Sequence, residues 1–122
     1  VIALDNLSGG NLQNLDNSSD NPRLSVREVD IVNLEAIQPL FKGVKRVYHL
    51  AGLADIVPSI ENPTNYFNSN VTGTFNVLQA AKNAKVKRFI YIASSSCYGI
   101  PDKYPTPENA EIRPKYHYDI SK

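Results

Sequence analysis

The sequence has no methionine, no tryptophan, a single cysteine and two histidines. One cysteine excludes an internal disulfide, and Cys97 with His49 and His117 forms no cluster at metal-ligand spacing, so no metal is expected. A lone free thiol is compatible with a reducing compartment, and a cytoplasmic setting is the expectation. No apolar run approaches the roughly 20 residues that cross a bilayer, so no membrane partner is expected. Thirteen Lys and Arg against 12 Asp and Glu leave a net charge of +1, which gives no basic surface for nucleic acid. An initiator Met and the marks of a signal peptide are missing too: there is no basic start, long apolar stretch or small-residue cleavage site. The chain opens directly on Val1-Ile2-Ala3-Leu4 and stops at Lys122 within a helical pattern. It is therefore expected to be part of a longer protein.

What is present reads as an ordinary globular domain, 42% apolar and 20% charged over 122 residues. Val1 to Leu4 is a short apolar strand closed by Asp5-Asn6 and followed by Ser8-Gly9-Gly10. Residues 11–23, rich in Asn, Asp and Ser, read as loop, and Leu24 to Val29 alternates as a strand does. Asn33 suits the cap of a short helix carrying Leu34, Ile37, Leu40 and Phe41. Val44 to Leu50 is a further strand running into Ala51-Gly52, and the stretch through Pro58 and Pro63 reads as loop. Tyr66, Val71, Phe75, Val77, Leu78 and Ala81 keep helical spacing up to about Ala84. Phe89 to Ala93 is an apolar strand ending in Ser94-Ser95-Ser96. An irregular loop over 99–113 leads to Pro114, placed in the first turn of a last helix with Tyr118 and Lys122. Apolar strands alternating with helices predict a doubly wound α/β domain with a parallel sheet covered on both faces.

In such sheets ligands bind outside the carboxyl ends of the strands. Asp5 stands at one such end, where a carboxylate accepts from both ribose hydroxyls of an adenosine and repels a 2′-phosphate; Asp and Asn are also ordinary turn formers. Asp30-Ile31, closing the second strand, is either a border for an adenine ring or a turn. Gly52 lets a ligand approach the backbone closely, or is a simple strand-to-loop glycine. Asn70 is a poor helix former inside a helical pattern, either aimed at a cofactor or solvated. Tyr118 and Lys122 share a helix face at i and i+4. Tyrosine ordinarily titrates near 10, and an ammonium close by favours the phenolate, which then removes a proton from a substrate hydroxyl. A bare Tyr-x-x-x-Lys is common by chance. Ser94, 24 residues upstream at a strand end, adds a hydroxyl suited to a substrate oxygen, although three serines also suit a capping cluster.

Taken in order, Asp5-Asn6-Leu7-Ser8, Asp30-Ile31, His49-Leu50-Ala51-Gly52, Asn70-Val71-Thr72-Gly73-Thr74-Phe75-Asn76-Val77-Leu78, Ser94-Ser95-Ser96-Cys97-Tyr98-Gly99 and Tyr118-Asp119-Ile120-Ser121-Lys122 resemble the NAD-dependent epimerase/dehydratase family. This is the family of extended short-chain dehydrogenases, and the likeness covers essentially the whole chain, nearest to UDP-glucose and UDP-N-acetylglucosamine 4-epimerases. The resemblance implies a Rossmann fold over 1–122 with NAD as cofactor. Asp5 and Asn6 would hold the adenosine ribose with Leu7 and Ser8 nearby, and Asp30 and Ile31 would flank the adenine. Leu50, Ala51 and Gly52 would line the pyrophosphate and ribose, and Asn70 would lie on the cofactor side. Ser94, Tyr118 and Lys122 would be the catalytic set, with Lys122 on the nicotinamide ribose and Ser94, Ser95 and Ser96 against a nucleotide-sugar. The glycine-rich turn after the family's first strand and the carboxy-terminal substrate region are absent. The sheet should therefore have a gap at its centre, and the piece alone should be neither stable nor active. A homodimer of the full-length protein through two long helices, one carrying Asn70, is also implied.

Family members that dehydrate or decarboxylate carry an acid two positions after the catalytic Ser or Thr; here that position is Ser96. The resemblance thus favours C4 epimerisation of a UDP-hexose over 4,6-dehydration or decarboxylation. The Tyr-Lys pair favours an enzyme over a cofactor-sensing module, and Cys97 is expected to be a packed, non-catalytic thiol.

Overall fold

The computed structural model describes residues 1–122. Strands β1 (Ile2–Asp5) and β2 (Ser25–Glu28) pair in parallel, with Ile2 opposite Ser25 and Asp5 opposite Glu28. Strands β3 (Arg46–His49) and β4 (Arg88–Tyr91) form a second parallel pair, Arg46 opposite Arg88 and His49 opposite Tyr91. The two pairs are not hydrogen-bonded to each other. Each of the four strands is therefore left with one unpaired edge.

Between the strands lie the helices. Helix α1 (Leu34–Ile37) starts where the Asn33 side chain accepts from the Ala36 N–H, and it tightens into a 3₁₀ turn over Gln38–Phe41. Helix α4 (Thr74–Asn83) packs on α1. Val77, Ala80 and Ala81, at i, i+3 and i+4, turn one face inward and with Ile37 and Phe41 form the buried core. Leu4, Val47 and Phe89 of the strands, and Val29 just past β2, pack against that cluster. Burying each large apolar side chain contributes roughly 1.5–3 kcal/mol, and the two alanines admit the close approach of α4.

Two local expectations change. On the first strand pair, the face with Asp5, Val26 and Glu28 lines an open hollow of about 460 Å³ together with residues of a 3₁₀ turn (Leu12–Ser18). That turn lies in the stretch read as loop, because Asn11 spends its side chain capping Gln13 rather than keeping the chain irregular. The segment through Pro58 and Pro63 is also helical, as α2 (Ile56–Glu61) and α3 (Pro63–Tyr66). Both prolines sit in a first helical turn, where the missing N–H costs nothing, so they start helices instead of preventing them. The long helical pattern is continuous from α3 to α4, but its middle, Phe67–Gly73, is a widened π-helical stretch with buried Asn70 at its centre.

Candidate cofactor and catalytic site

The carboxyl ends of β1 and β2 are tied by side chains. Asp5 Oδ1 accepts from the Leu7 N–H at 2.7 Å, and Asn6 Oδ1 accepts from the Ser8 N–H and hydroxyl at 3.1 and 2.7 Å. Asn6 Nδ2 donates to Asp30 Oδ2 at 3.0 Å, so the carboxylates of Asp5 and Asp30 are carried on one connected turn. At Gly10 a methyl would come within 2.6 Å of Asp5 Oδ2, so the loop folds its backbone directly over that carboxylate. Ile31 is used differently: its side chain packs against Gly73, and its carbonyl accepts from Asn76 at 3.0 Å.

Beyond β3, Leu50, Ala51 and Gly52 are exposed. A Cβ on Gly52 would stand 2.9 Å from Lys122 Nζ and 3.0 Å from Asn70 Oδ1, so the backbone here borders the lysine tip as only glycine allows. Asn70 itself is 2% exposed and fully engaged. It accepts from the Leu53 N–H at 2.7 Å and donates to the Leu53 carbonyl at 3.0 Å and to Ser121 Oγ at 2.9 Å. It therefore acts on the strand-end loop and the last helix rather than through a free polar tip.

After β4, Ser94 caps a 3₁₀ turn (Ser95–Tyr98), accepting from the Ser96 N–H at 3.2 Å, and the Ser94 and Ser96 hydroxyls share a 2.8 Å hydrogen bond. This turn packs against α5 (His117–Ser121), which carries Tyr118. The helix begins three residues later than Pro114, because Asp119 Oδ2 takes the N–H groups of Lys115 and Tyr116 at 3.1 Å each and fixes the start there. Lys122 closes the helix, with Nζ reaching toward the Ile92 carbonyl at 3.5 Å and 5.7 Å from the centre of the Tyr91 ring. Burial lowers the Lys122 ammonium below the usual lysine range. The Tyr91 hydroxyl donates to the Lys122 carbonyl at 3.2 Å, and burial, then Tyr118, raises its pKa. Cys97 is partly buried; its carbonyl accepts from the Arg113 N–H at 3.0 Å, folding the 99–113 loop back on itself.

Three further polar residues join this site through partners that the sequence did not indicate. His49 is 4% exposed, with Nε2 2.7 Å from Thr74 Oγ1 and its ring stacked on Tyr91 at 5.7 Å. Burial, and secondarily Lys122, lowers its pKa to about 4, so it is neutral at pH 7. Tyr66 donates its hydroxyl to the Ala54 carbonyl and presents an edge to the Tyr118 ring at 6.4 Å; burial first, then Asp55 and Tyr118, raises its pKa. Ser59, fully buried in α2, accepts from the Tyr118 N–H at 3.1 Å.

This arrangement puts strand-end carboxylates, an open glycine turn and a Tyr-Lys helix at the carboxyl ends of two parallel strand pairs. The family model described as GDP-mannose 4,6-dehydratase matches residues 1–122. The chain belongs to that family. Within the family, the putative UDP-glucose 4-epimerase of Methanocaldococcus jannaschii is 33% identical over 123 residues, covering 100% of this chain and 39% of the relative. The dTDP-glucose 4,6-dehydratase of Streptomyces venezuelae, solved with NAD bound, superimposes with a TM-score of 0.95 at 31% identity, covering 100% of this chain and 38% of that one. The UDP-glucose 4-epimerase of Thermotoga maritima, solved with UDP-glucose, gives 0.90 at 29% identity and coverages of 100% and 39%. The chain thus spans between a third and two fifths of the length of the relatives it matches. These are α/β proteins of the NAD-dependent epimerase/dehydratase type, and the parallel pairs of this chain match their Rossmann sheet.

Proposed function

We propose that the full-length protein containing this chain is an NAD-dependent C4 epimerase of a UDP-hexose. The observation that carries this choice is the strand-end turn after β4. Two positions after Ser94 stands Ser96, whose hydroxyl is bonded to Ser94 at 2.8 Å, and no carboxylate occupies Ser94, Ser95 or Ser96 to drive elimination or decarboxylation after an oxidation. Named relatives on both sides of that choice, epimerases and a dehydratase, resemble the chain, and the turn supports the epimerase reading.

The residues fit NAD. Asp5, under the Gly10 backbone, offers the acceptor that a ribose diol needs, and a 2′-phosphate would meet its charge. Asn6, Leu7, Ser8 and Asp30 complete that end, and Leu50, Ala51 and Gly52 leave backbone open beside Lys122. When bound, NAD supplies the hydride acceptor and returns the hydride, so none is consumed. Tyr118 takes the proton of the C4 hydroxyl at its phenolic oxygen and gives it back. Ser94 hydrogen-bonds the same oxygen as its charge changes, oriented by Ser96. Lys122 would hold the cofactor ribose and supply positive charge there. The partner is a nucleotide-sugar. A second copy of the protein suits the apolar stripe of Phe67, Val71, Phe75 and Leu78, exposed by 57, 37, 62 and 46% along one continuous helix.

The test incubates the purified full-length protein with a panel of UDP-hexoses and no added cofactor, followed by proton NMR. The C4 epimer without net NADH supports the reading. A 4-keto-6-deoxy product, a decarboxylated sugar or accumulating NADH overturns it.

A further inference from the structure

Helix α5 has five residues, too few to be stable without tertiary support, and its first N–H groups lack partners within the helix. Asp119 serves the two that precede it, Lys115 and Tyr116. The Tyr118 N–H is served from outside, 59 residues away in the chain, by Ser59 Oγ at 3.1 Å. That hydroxyl donates in turn to the Ile56 carbonyl at 2.6 Å, so both of its roles are used and its rotamer is held. At the other end of the same residue, Ser121 Oγ donates to the Tyr118 carbonyl at 2.9 Å and accepts from Asn70. The Tyr118 backbone is therefore gripped on both sides by buried side chains, Ser59 of α2 at its N–H and, at its carbonyl, Ser121 of its own helix, which Asn70 holds in turn; Ser59 is 0% exposed.

We propose that Ser59 is a positioning residue for Tyr118, setting the backbone from which the acid/base hydroxyl reaches the substrate. The inference rests on the reading of Tyr118 given under Proposed function. Helix α2 that carries Ser59 leaves the strand-end loop only a few residues after Gly52, through Asp55 at φ +78°, and Tyr66 pins that loop at Ala54. The loop assigned to the cofactor and the peptide assigned to the acid/base are thus joined by one short helix. An alanine at 59 fills almost the same space, so what it removes is the acceptor for the Tyr118 amide and the local bond to the Ile56 carbonyl. A displacement of about 1 Å in a reacting group lowers a rate by as much as 10²-fold, whereas binding of a substrate held by other residues is spared.

The experiment uses the full-length protein with its NAD, labelled with ¹⁵N-tyrosine, as wild type, Ser59→Ala and Ser59→Thr. In the wild type the Tyr118 amide should exchange far more slowly than an unstructured amide, despite lying in a first helical turn. Ser59→Ala should speed that exchange about tenfold. It should also lower kcat about tenfold or more with KM and NAD content within about twofold, and Ser59→Thr should restore both. A wild-type Tyr118 amide that exchanges at the unstructured rate overturns the proposal even where Ser59→Ala does not fold. So does a folded Ser59→Ala with wild-type kcat and exchange, or one altered only in melting temperature. A wild type without turnover on any nucleotide-sugar defeats the epimerase reading instead, and the exchange arm still decides whether Ser59 holds Tyr118.

Discussion

Lowering the pH should reveal His49. Its ring is buried against Tyr91 and Phe89, bonded to Thr74 and close to Lys122, and its folded pKa of about 4 lies below the ordinary 6.5. Between these values the unfolded chain binds a proton that the folded chain refuses. Stability from this group is therefore complete above pH 6.5 and is lost as the pH falls toward 4. The full gap corresponds to about 3 kcal/mol, and screening of the Lys122 contribution by solvent reduces that to roughly 2 kcal/mol. Urea unfolding of the full-length protein at a series of pH values, for wild type and His49→Gln, isolates the effect from the carboxylates that titrate in the same range. Glutamine keeps a hydrogen-bonding amide for Thr74 but has no proton to gain. The wild-type curve should lose roughly 2 kcal/mol more than the variant between pH 6.5 and 4, and Lys122→Met should shrink that difference. Parallel curves for wild type and His49→Gln would refute the argument.

Tyr118→Phe in the full-length protein should lower kcat by about 10²–10⁴-fold while leaving the melting temperature and bound NAD unchanged, read by NMR turnover and absorbance. Asn70→Ala removes three hydrogen bonds from a residue 2% exposed. Because the Leu53 peptide regains some water, the cost should be about 2–4 kcal/mol in denaturant unfolding; a loss below about 1 kcal/mol would mean the loop is held by something else. The 122-residue chain by itself, with five residues in its buried apolar core and two unjoined strand pairs, should show no cooperative melt by circular dichroism; a sharp transition would contradict that.

Local pattern made the strands, the long helix and the strand-end residues legible, because burial on one face imposes periods of 2 and 3.6 that survive in any sequence window. Asp5, Gly52, Ser94, Tyr118 and Lys122 could be named for the same reason: each follows directly on an apolar strand or keeps a helical spacing. Turn chemistry was less legible. Asn11, Pro58 and Pro63 suit both loops and helix starts, and the choice lay in where the neighbouring N–H groups found acceptors. The roles of Asn70, His49 and Ser59 were decided only by tertiary structure. Their partners lie 17, 25, 51 and 59 residues away, and nothing in a local window records which distant amide or hydroxyl a buried polar group will meet. The sequence by itself determined which chemistry stands at the strand ends. Packing decided which polar side chains stay exposed and which are spent holding the others in place, since a buried donor or acceptor must find its partner wherever the fold brings one.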